Sequence, residues 1–285
     1  MKHILIPTDF SANAQHAAIF GVQIAVAQQA KITFFHLSNF AGSINAAPTG
    51  DYSAEIKDNI EENKLKLQNF SKAVYKELAI TSSQIPTEHV VIEGFAFADQ
   101  VAVYAEKHHV DMIILGTRGQ TGIKSVLFGS NTSTLIGKSP CSVLAIPENC
   151  KYDQIKYIAF ATTLENTEKA VDGLIDYVKL FNASLQLFYI YPSFPANINV
   201  ETFDNHALVE GLSKKFDYHN ISLYFEHTSK ENDVQIGINQ FVRAYKPSML
   251  AIYTHERTWL DKLLNASITE SIALQTELPL LALRA

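Results

Sequence analysis

The chain has 285 residues, 47% of them hydrophobic and 18% charged, with a formal net charge of −6. This length suits two α/β domains of about 140 residues, and the composition is that of an ordinary globular protein. The acidic balance argues against nucleic acid as a partner; no apolar run approaches the roughly 20 residues of a membrane span, and Cys141 and Cys150 give neither a disulfide framework nor metal-ligand spacing.

Met1-Lys2-His3 leads directly into a strand over 3–8, without a signal-peptide pattern, so the expected location is the cytoplasm. A helix over about 12–29 follows, with Ala17, Phe20, Ile24 and Ala25 at helical spacing. Next come a strand at 31–37, a polar loop from Ser38 to Ser53, and a long amphipathic helix from Glu55 to Leu78 with Ile56, Ile60, Leu65, Leu67, Phe70 and Val74. A strand at 88–92, a helix at about 97–108, a strand at 111–115, a glycine loop, a helix at about 130–138 and a strand at 142–146 complete a unit of about 147 residues. Strands alternating with helices predict a parallel sheet covered on both faces.

After Pro147–Asp153 the same order recurs. Strand Tyr157 to Ala161 matches 3–7, helix 166–181 follows, and Ala183 to Ile190 matches Ala30 to Leu37 position for position. Helix 234–245, strand 249–252 and strand 280–283 match 97–108, 112–115 and 143–146. A repeat this long means two copies of one fold, with domains at 1–147 and 154–285. Charge is uneven between them: residues 1–147 hold 11 basic and 12 acidic residues, the remainder 12 and 17. An anionic ligand prefers the near-neutral half.

That half also carries Gly116-x-x-Gly119, nine residues, then Gly129-Ser130, directly after the apolar run Met112-Ile113-Ile114-Leu115. Glycines let backbone approach a ligand, and a helix N-terminus beyond them offers free N–H groups to phosphate. Glycine serves turns for conformational reasons alone; the second element at a fixed distance is what gives the pattern its specificity. Asp9 closes the first strand, where ligands bind in doubly wound sheets, although helix capping together with Ser11 explains an acid there equally well.

The strand ending in Asp9, the strand Ile32-Thr33-Phe34-Phe35-His36-Leu37, the run Gly116-Thr117-Arg118-Gly119 through Gly129-Ser130, and the terminal strand Cys141 to Pro147 together resemble the universal stress protein family. The resemblance covers 1–147 nearly end to end, and the rest looks like a second, decayed copy. It implies two tandem Rossmann-like domains of the adenine nucleotide alpha hydrolase-like kind, each a five-stranded parallel sheet flanked by helices. It also implies a site for ATP with Mg2+ in the first. There Asp9 would hydrogen-bond the ribose or adenine, Leu37 would offer backbone groups to the adenine edge, and Pro7 and Thr8 would line the mouth. Leu115 would also belong to the site, Gly116, Arg118 and Gly119 would wrap the phosphates, and Gly129, Ser130 and Asn131 would present N–H groups and a hydroxyl to them. Gln120 departs from the basic residue common in the family, which implies weaker phosphate binding.

In the second copy Gly116 corresponds to Tyr253, Gly119 to Glu256, Gly129 to Ala266 and Asp9 to Thr163, with only Ser267 matching Ser130. A ring and a carboxylate at those positions disfavour a phosphate. His36 is read as a histidine hydrogen-bonded within the fold, and His108-His109 as complements to a helix C-terminus. His227, His255 and Glu256 are spaced too irregularly for a metal site.

Two functional readings follow. One is a nucleotide-binding stress or signalling module, with one working site whose occupancy alters contacts with an unidentified protein partner. The alternative is a non-nucleotide-binding structural or interaction protein of the same family, its motif a relic. No catalytic residues are assigned, and at most slow ATP hydrolysis is expected, because there is no Walker lysine and no convincing general base. Thr8-Asp9-Phe10-Ser11 is neither the SGGxDS nor the HxGH element of ATP-consuming enzymes on related folds, and no Gly-x-Gly-x-x-Gly follows the first strand. The apolar terminal strands of the two copies suggest an intramolecular pseudo-dimer, with further homodimerisation possible.

Overall fold

A computed structural model describes residues 1–39, 53–117, 129–192, 202–229, 234–254 and 278–284. Among these the chain divides into two compact units, the residues up to Glu148 and those from Asn149 onward.

The first unit contains β1 (His3–Pro7), α1 (Ala12–Gln28), β2 (Lys31–Ser38), α2 (Ser53–Glu77), β3 (Thr87–Glu93), α3 (Phe97–Lys107), β4 (Met112–Gly116), α4 (Ser130–Lys138) and β5 (Ser142–Ile146). Its strands are parallel and lie in the order β3-β2-β1-β4-β5. Every residue of β1, β4 and β5 is buried, as expected for parallel strands covered on both faces. Pro7, which has no N–H to give, is the last residue of β1; Thr8 lies just past the strand and its N–H still donates to Phe35 O at 2.9 Å.

The second unit contains β6 (Tyr157–Ala161), α5 (Thr167–Phe181), β7 (Ser184–Pro192), α6 (Asn205–Phe216), β8 (Ile221–Thr228), α7 (Val234–Tyr245), β9 (Met249–Tyr253) and β10 (Leu280–Leu283). Its parallel order, β8-β7-β6-β9-β10, is that of the first unit. The fold is therefore a doubly wound α/β sheet made twice. The sequence reading omitted α6 and β8. Their counterparts include the 25-residue α2, whereas α6 has 12 residues, so matching one copy to the other breaks down there.

The repeat reaches down to single hydrogen bonds. Phe10 N–H donates to Thr8 Oγ1 and Leu164 N–H to Thr162 Oγ1, and both Phe10 (φ 63°) and Leu164 (φ 68°) adopt the left-handed region. Asp111 accepts from the N–H groups of Lys2 and His3; Ser248 does the same for Lys156 and Tyr157. Left-handed residues close equivalent helices at Gln29 and Asn182, and others recur at Ala79 and Asp217 and at His109 and Lys246. A bulky residue at positive φ is costly, so its presence at one place in both copies marks a turn that the fold requires.

Two expectations about side chains change. Leu65 is 58% exposed, because α2 buries the stripe Asn63, Leu67, Phe70 and Val74, and position 65 lies on the opposite face. Cys141 lies just before β5 rather than within it. Burial raises its thiol pKa to about 11 and that of Cys150 to about 12, so both stay protonated at neutral pH. No helix among the described residues is long and apolar enough to cross a membrane.

Candidate functional site

In the order β3-β2-β1-β4-β5, chain connections leave β1 in one direction and reach β4 in the other. The crevice beyond the carboxyl ends of β1 and β4 is thus the switch point at which such sheets bind ligands. A cavity of about 650 Å3 opens there. Pro7, Thr8 and Asp9 enter it from β1, Leu37 from β2, Leu115 and Gly116 from β4, and Gly129, Ser130 and Asn131 from the start of α4. The fold thus brings together nine of the eleven residues predicted for the site. The other two, Arg118 and Gly119, lie outside the described residues, as do Gln120 and the second-copy positions His255, Glu256, Ala266 and Ser267.

The loop after β1 is held by its own side chains. Thr8 Oγ1 accepts from Phe10 N–H at 2.9 Å, Asp9 Oδ1 from Ser11 N–H at 3.0 Å, and Ser11 Oγ caps α1 by accepting from Ala14 N–H at 3.2 Å. The capping explanation of this acid therefore holds at the same time as its placement in the cavity. His36 Nδ1 donates to Thr8 O at 2.8 Å and its ring lies 4.4 Å from that of Phe10. Burial lowers its pKa, partly offset by the Thr8 hydrogen bond and the Asp9 charge, so a neutral imidazole is favoured. His36 is thus satisfied within the fold, as read from the sequence, and also lines the cavity.

Gly116 serves packing as well as access. A Cβ there would lie 2.9 Å from the side chain of Asn13 and 3.2 Å from its backbone oxygen, so a side chain would push back the first turn of α1. Thr132, which the sequence reading passed over, donates from Oγ1 to Gly116 O at 3.1 Å and ties α4 to the end of β4. Gly129 holds the N-cap position in extended conformation with no side-chain cap. The first turn of α4 thus turns N–H groups and the positive end of its dipole toward the cavity, which suits an anion.

A third wall was also missed. Ser38, Asn59, Asn63 and Lys66 line the cavity on the side of β2 and α2. Asn63 was legible in principle, being a polar residue in the apolar stripe 63, 67, 70, 74.

In the second unit the position of Gly116 is taken by Tyr253, as the pairing of Gly116 with Ile146 and of Tyr253 with Leu283 shows. The Tyr253 ring packs edge-on to Phe160 and its hydroxyl donates to Ala170 O at 3.0 Å. Gly173 of α5 makes room for it: a Cβ there would lie 2.2 Å from the tyrosine oxygen. Among the described residues no group of three His, Cys, Asp or Glu side chains could hold a metal ion.

Comparison with known proteins agrees with this architecture. The model of the Universal stress protein family matches residues 1–147 and again 155–284. Universal stress protein MJ0531 of Methanocaldococcus jannaschii is 28% identical over 145 residues, spanning 51% of this chain and 81% of its own. Universal stress protein A homolog 1 of Coxiella burnetii is 26% identical, spanning 51% and 95%. Among solved structures, a universal stress protein from Archaeoglobus fulgidus matches 99% of this chain and 96% of its own with a TM-score of 0.66 at 15% identity, a likeness of fold.

Proposed function

The chain belongs to the universal stress protein family, and from that premise we propose that its first unit is an adenine-nucleotide-binding module whose occupancy alters contacts with a protein partner. The observation that carries this reading is the convergence of residues from β1, β2, β4 and α4 on one cavity at the switch point of the sheet. The uncapped start of α4 would take the phosphates, and Asp9 would sit between phosphate and base. Of the described lining residues Asp9 is the one carboxylate, and one of its oxygens already holds Ser11 N–H. Mg2+ would therefore arrive with the triphosphate, the protein supplying backbone donors around it. Thr8 Oγ1 and His36 Nδ1 are likewise engaged in holding the loop, which favours binding over catalysis.

Isothermal titration of the purified chain with MgATP tests this reading. One saturable site per chain is expected, lost in Gly129→Val, where a branched side chain would stand at the entry to α4. A flat titration of the wild type would overturn the reading and favour an interaction protein whose motif binds no nucleotide.

A further inference from the structure

The amino end of the first sheet, opposite the cavity, holds ionisable side chains that the proposed function does not use. His3 of β1 is 8% exposed and Thr33 of β2 is fully buried. The His3 ring lies between two oxygens: Nδ1 is 3.2 Å from His108 O and Nε2 is 2.8 Å from Thr33 Oγ1. Thr33 Oγ1 is also 3.4 Å from Glu88 Oε2 on β3, and the half-exposed Glu88 is ion-paired with Lys31 at 2.6 Å. Asp111 accepts from the backbone N–H groups of Lys2 and His3. On α3, Tyr104 stacks on the ring of His108 at 4.1 Å, and its buried hydroxyl makes no well-placed hydrogen bond among the described residues. Burial and the Glu88 charge raise the Tyr104 pKa above 10, so that hydroxyl keeps its proton. The charges acting on His3 are therefore those of Lys31, Glu88 and Asp111.

These contacts can be counted in hydrogens. A carbonyl only accepts, so His3 Nδ1 carries one. The neutral ring is then bare at Nε2, and Thr33 has a single hydroxyl hydrogen for two acceptors, Nε2 and Glu88 Oε2. The shorter contact gives that hydrogen to His3. With a second proton on the ring, each contact has its own hydrogen: Nδ1–H to His108 O, Nε2–H to Thr33 Oγ1, and Oγ1–H to Glu88 Oε2. The bonding pattern thus suits an imidazolium, whereas burial favours the neutral ring and on balance lowers the pKa of His3.

The fold does not require this cluster. In the second unit Gln186 stands beside Ser222 in the register in which Thr33 stands beside Glu88. Tyr157 begins the strand that matches β1, and Phe241 stacks on Tyr245 at 4.5 Å where Tyr104 stacks on His108. The same corner is built there without a group that titrates near neutral pH.

We propose that His3, Thr33 and Glu88 form a pH-sensing relay across the amino ends of β1, β2 and β3. Uptake of a solvent proton at His3 Nε2 turns the Thr33 hydroxyl from His3 to Glu88, so that in the acid state one charge-assisted chain ties the three strands. One proton is bound and one hydroxyl rotates; no bond between heavy atoms changes.

Nitrogen NMR of the histidine rings in the full chain, titrated from about pH 8 to about pH 5, tests this. Neutral His3 should carry its hydrogen on Nδ1. Thr33→Val should lower the proton affinity of His3 by about tenfold, and Thr33→Ser should restore it to within about twofold. Glu88→Gln should lower it as well, but should add little in the Thr33→Val background, because the relay is already cut there. A neutral ring with its hydrogen on Nε2 overturns the inference. So does an unchanged affinity in Thr33→Val, or a Glu88→Gln effect of equal size with and without Thr33, which would mean that the carboxylate acts through space alone. If Thr33→Val fails to fold, the wild-type tautomer and Glu88→Gln decide: hydrogen on Nδ1 with a lowered affinity supports the relay, and either result reversed overturns it.

Discussion

The two units share strand order, turn geometry and even the left-handed residue after the first strand, yet they differ at the end of the fourth strand. In the first unit a glycine, Gly116, faces the start of α1, and the end of the strand opens on a cavity. In the second, Tyr253 occupies the equivalent position and the glycine has moved to the helix, as Gly173. In each unit one glycine lets the end of the fourth strand meet the first helix, Gly116 on the strand against Asn13 in the first and Gly173 on the helix against Tyr253 in the second. Only the first solution leaves bare backbone beside the crevice. The fold thus persists although the residue at this strand end changes from glycine to tyrosine.

The largest expected effect comes from imposing the second solution on the first unit. Gly116→Tyr should weaken MgATP binding by about 100-fold or more and lower the stability of that unit by about 1–3 kcal/mol, because a Cβ already meets Asn13. Titration and scanning calorimetry would read the two effects; undiminished binding would show that bare backbone at this strand end is unimportant. The reciprocal change is Gly173→Ala. Alanine in a helix normally adds about 1 kcal/mol over glycine. Here the Cβ would collide with the Tyr253 hydroxyl and displace its hydrogen bond, so a net loss of about 1–2 kcal/mol is expected, with MgATP binding unchanged. A stabilised variant would mean that the tyrosine relocates freely.

Acid should also separate the units. Burial lowers the pKa of His3, His36 and His89, all in the first unit, below the ordinary 6.5, whereas His206, His219 and His227 of the second are exposed. The unfolded chain takes up these protons first. The stability they represent is therefore fully present above about pH 6.5 and is lost as pH falls below it, until the folded imidazoles titrate in turn. Urea midpoints at pH 7.5 and 5.5, followed by hydrogen exchange in each unit, should show the loss in the first; an equal loss in both would contradict this. The smallest effects concern helix starts. Ser11→Ala should cost about 1 kcal/mol through the lost cap on α1. Asn166→Ala, at a position that makes no side-chain cap bond to α5, should change stability by no more than about 0.5 kcal/mol in thermal unfolding.

Much of this molecule was legible in the one-dimensional chain. Buried parallel strands are continuous apolar runs, and glycine, proline and capping residues punctuate them, so β1, β4, β5, β6 and β9 could be placed within a residue or so. The repeat was legible because its strands kept their spacing, except around α6 and β8, where helix length differs between copies. Asp9, Gly116 and Gly129 could be tied to one site because ligand-binding residues of a doubly wound sheet follow its strands directly.

What only the tertiary structure decided is the lateral composition of that site and the reason for its glycine. Ser38 and the α2 residues Asn59 and Asn63 are 21 and 25 positions apart in sequence and meet only because α2 packs across the end of β2. Gly116 reads as access for a ligand until Asn13, more than 100 residues earlier in the chain, is seen against it. Local periodicity determines which face of an element is buried. Which distant side chains share that burial, and which polar atoms are left without partners, depends on how the elements are laid against one another, and a chain read in order carries no direct record of that.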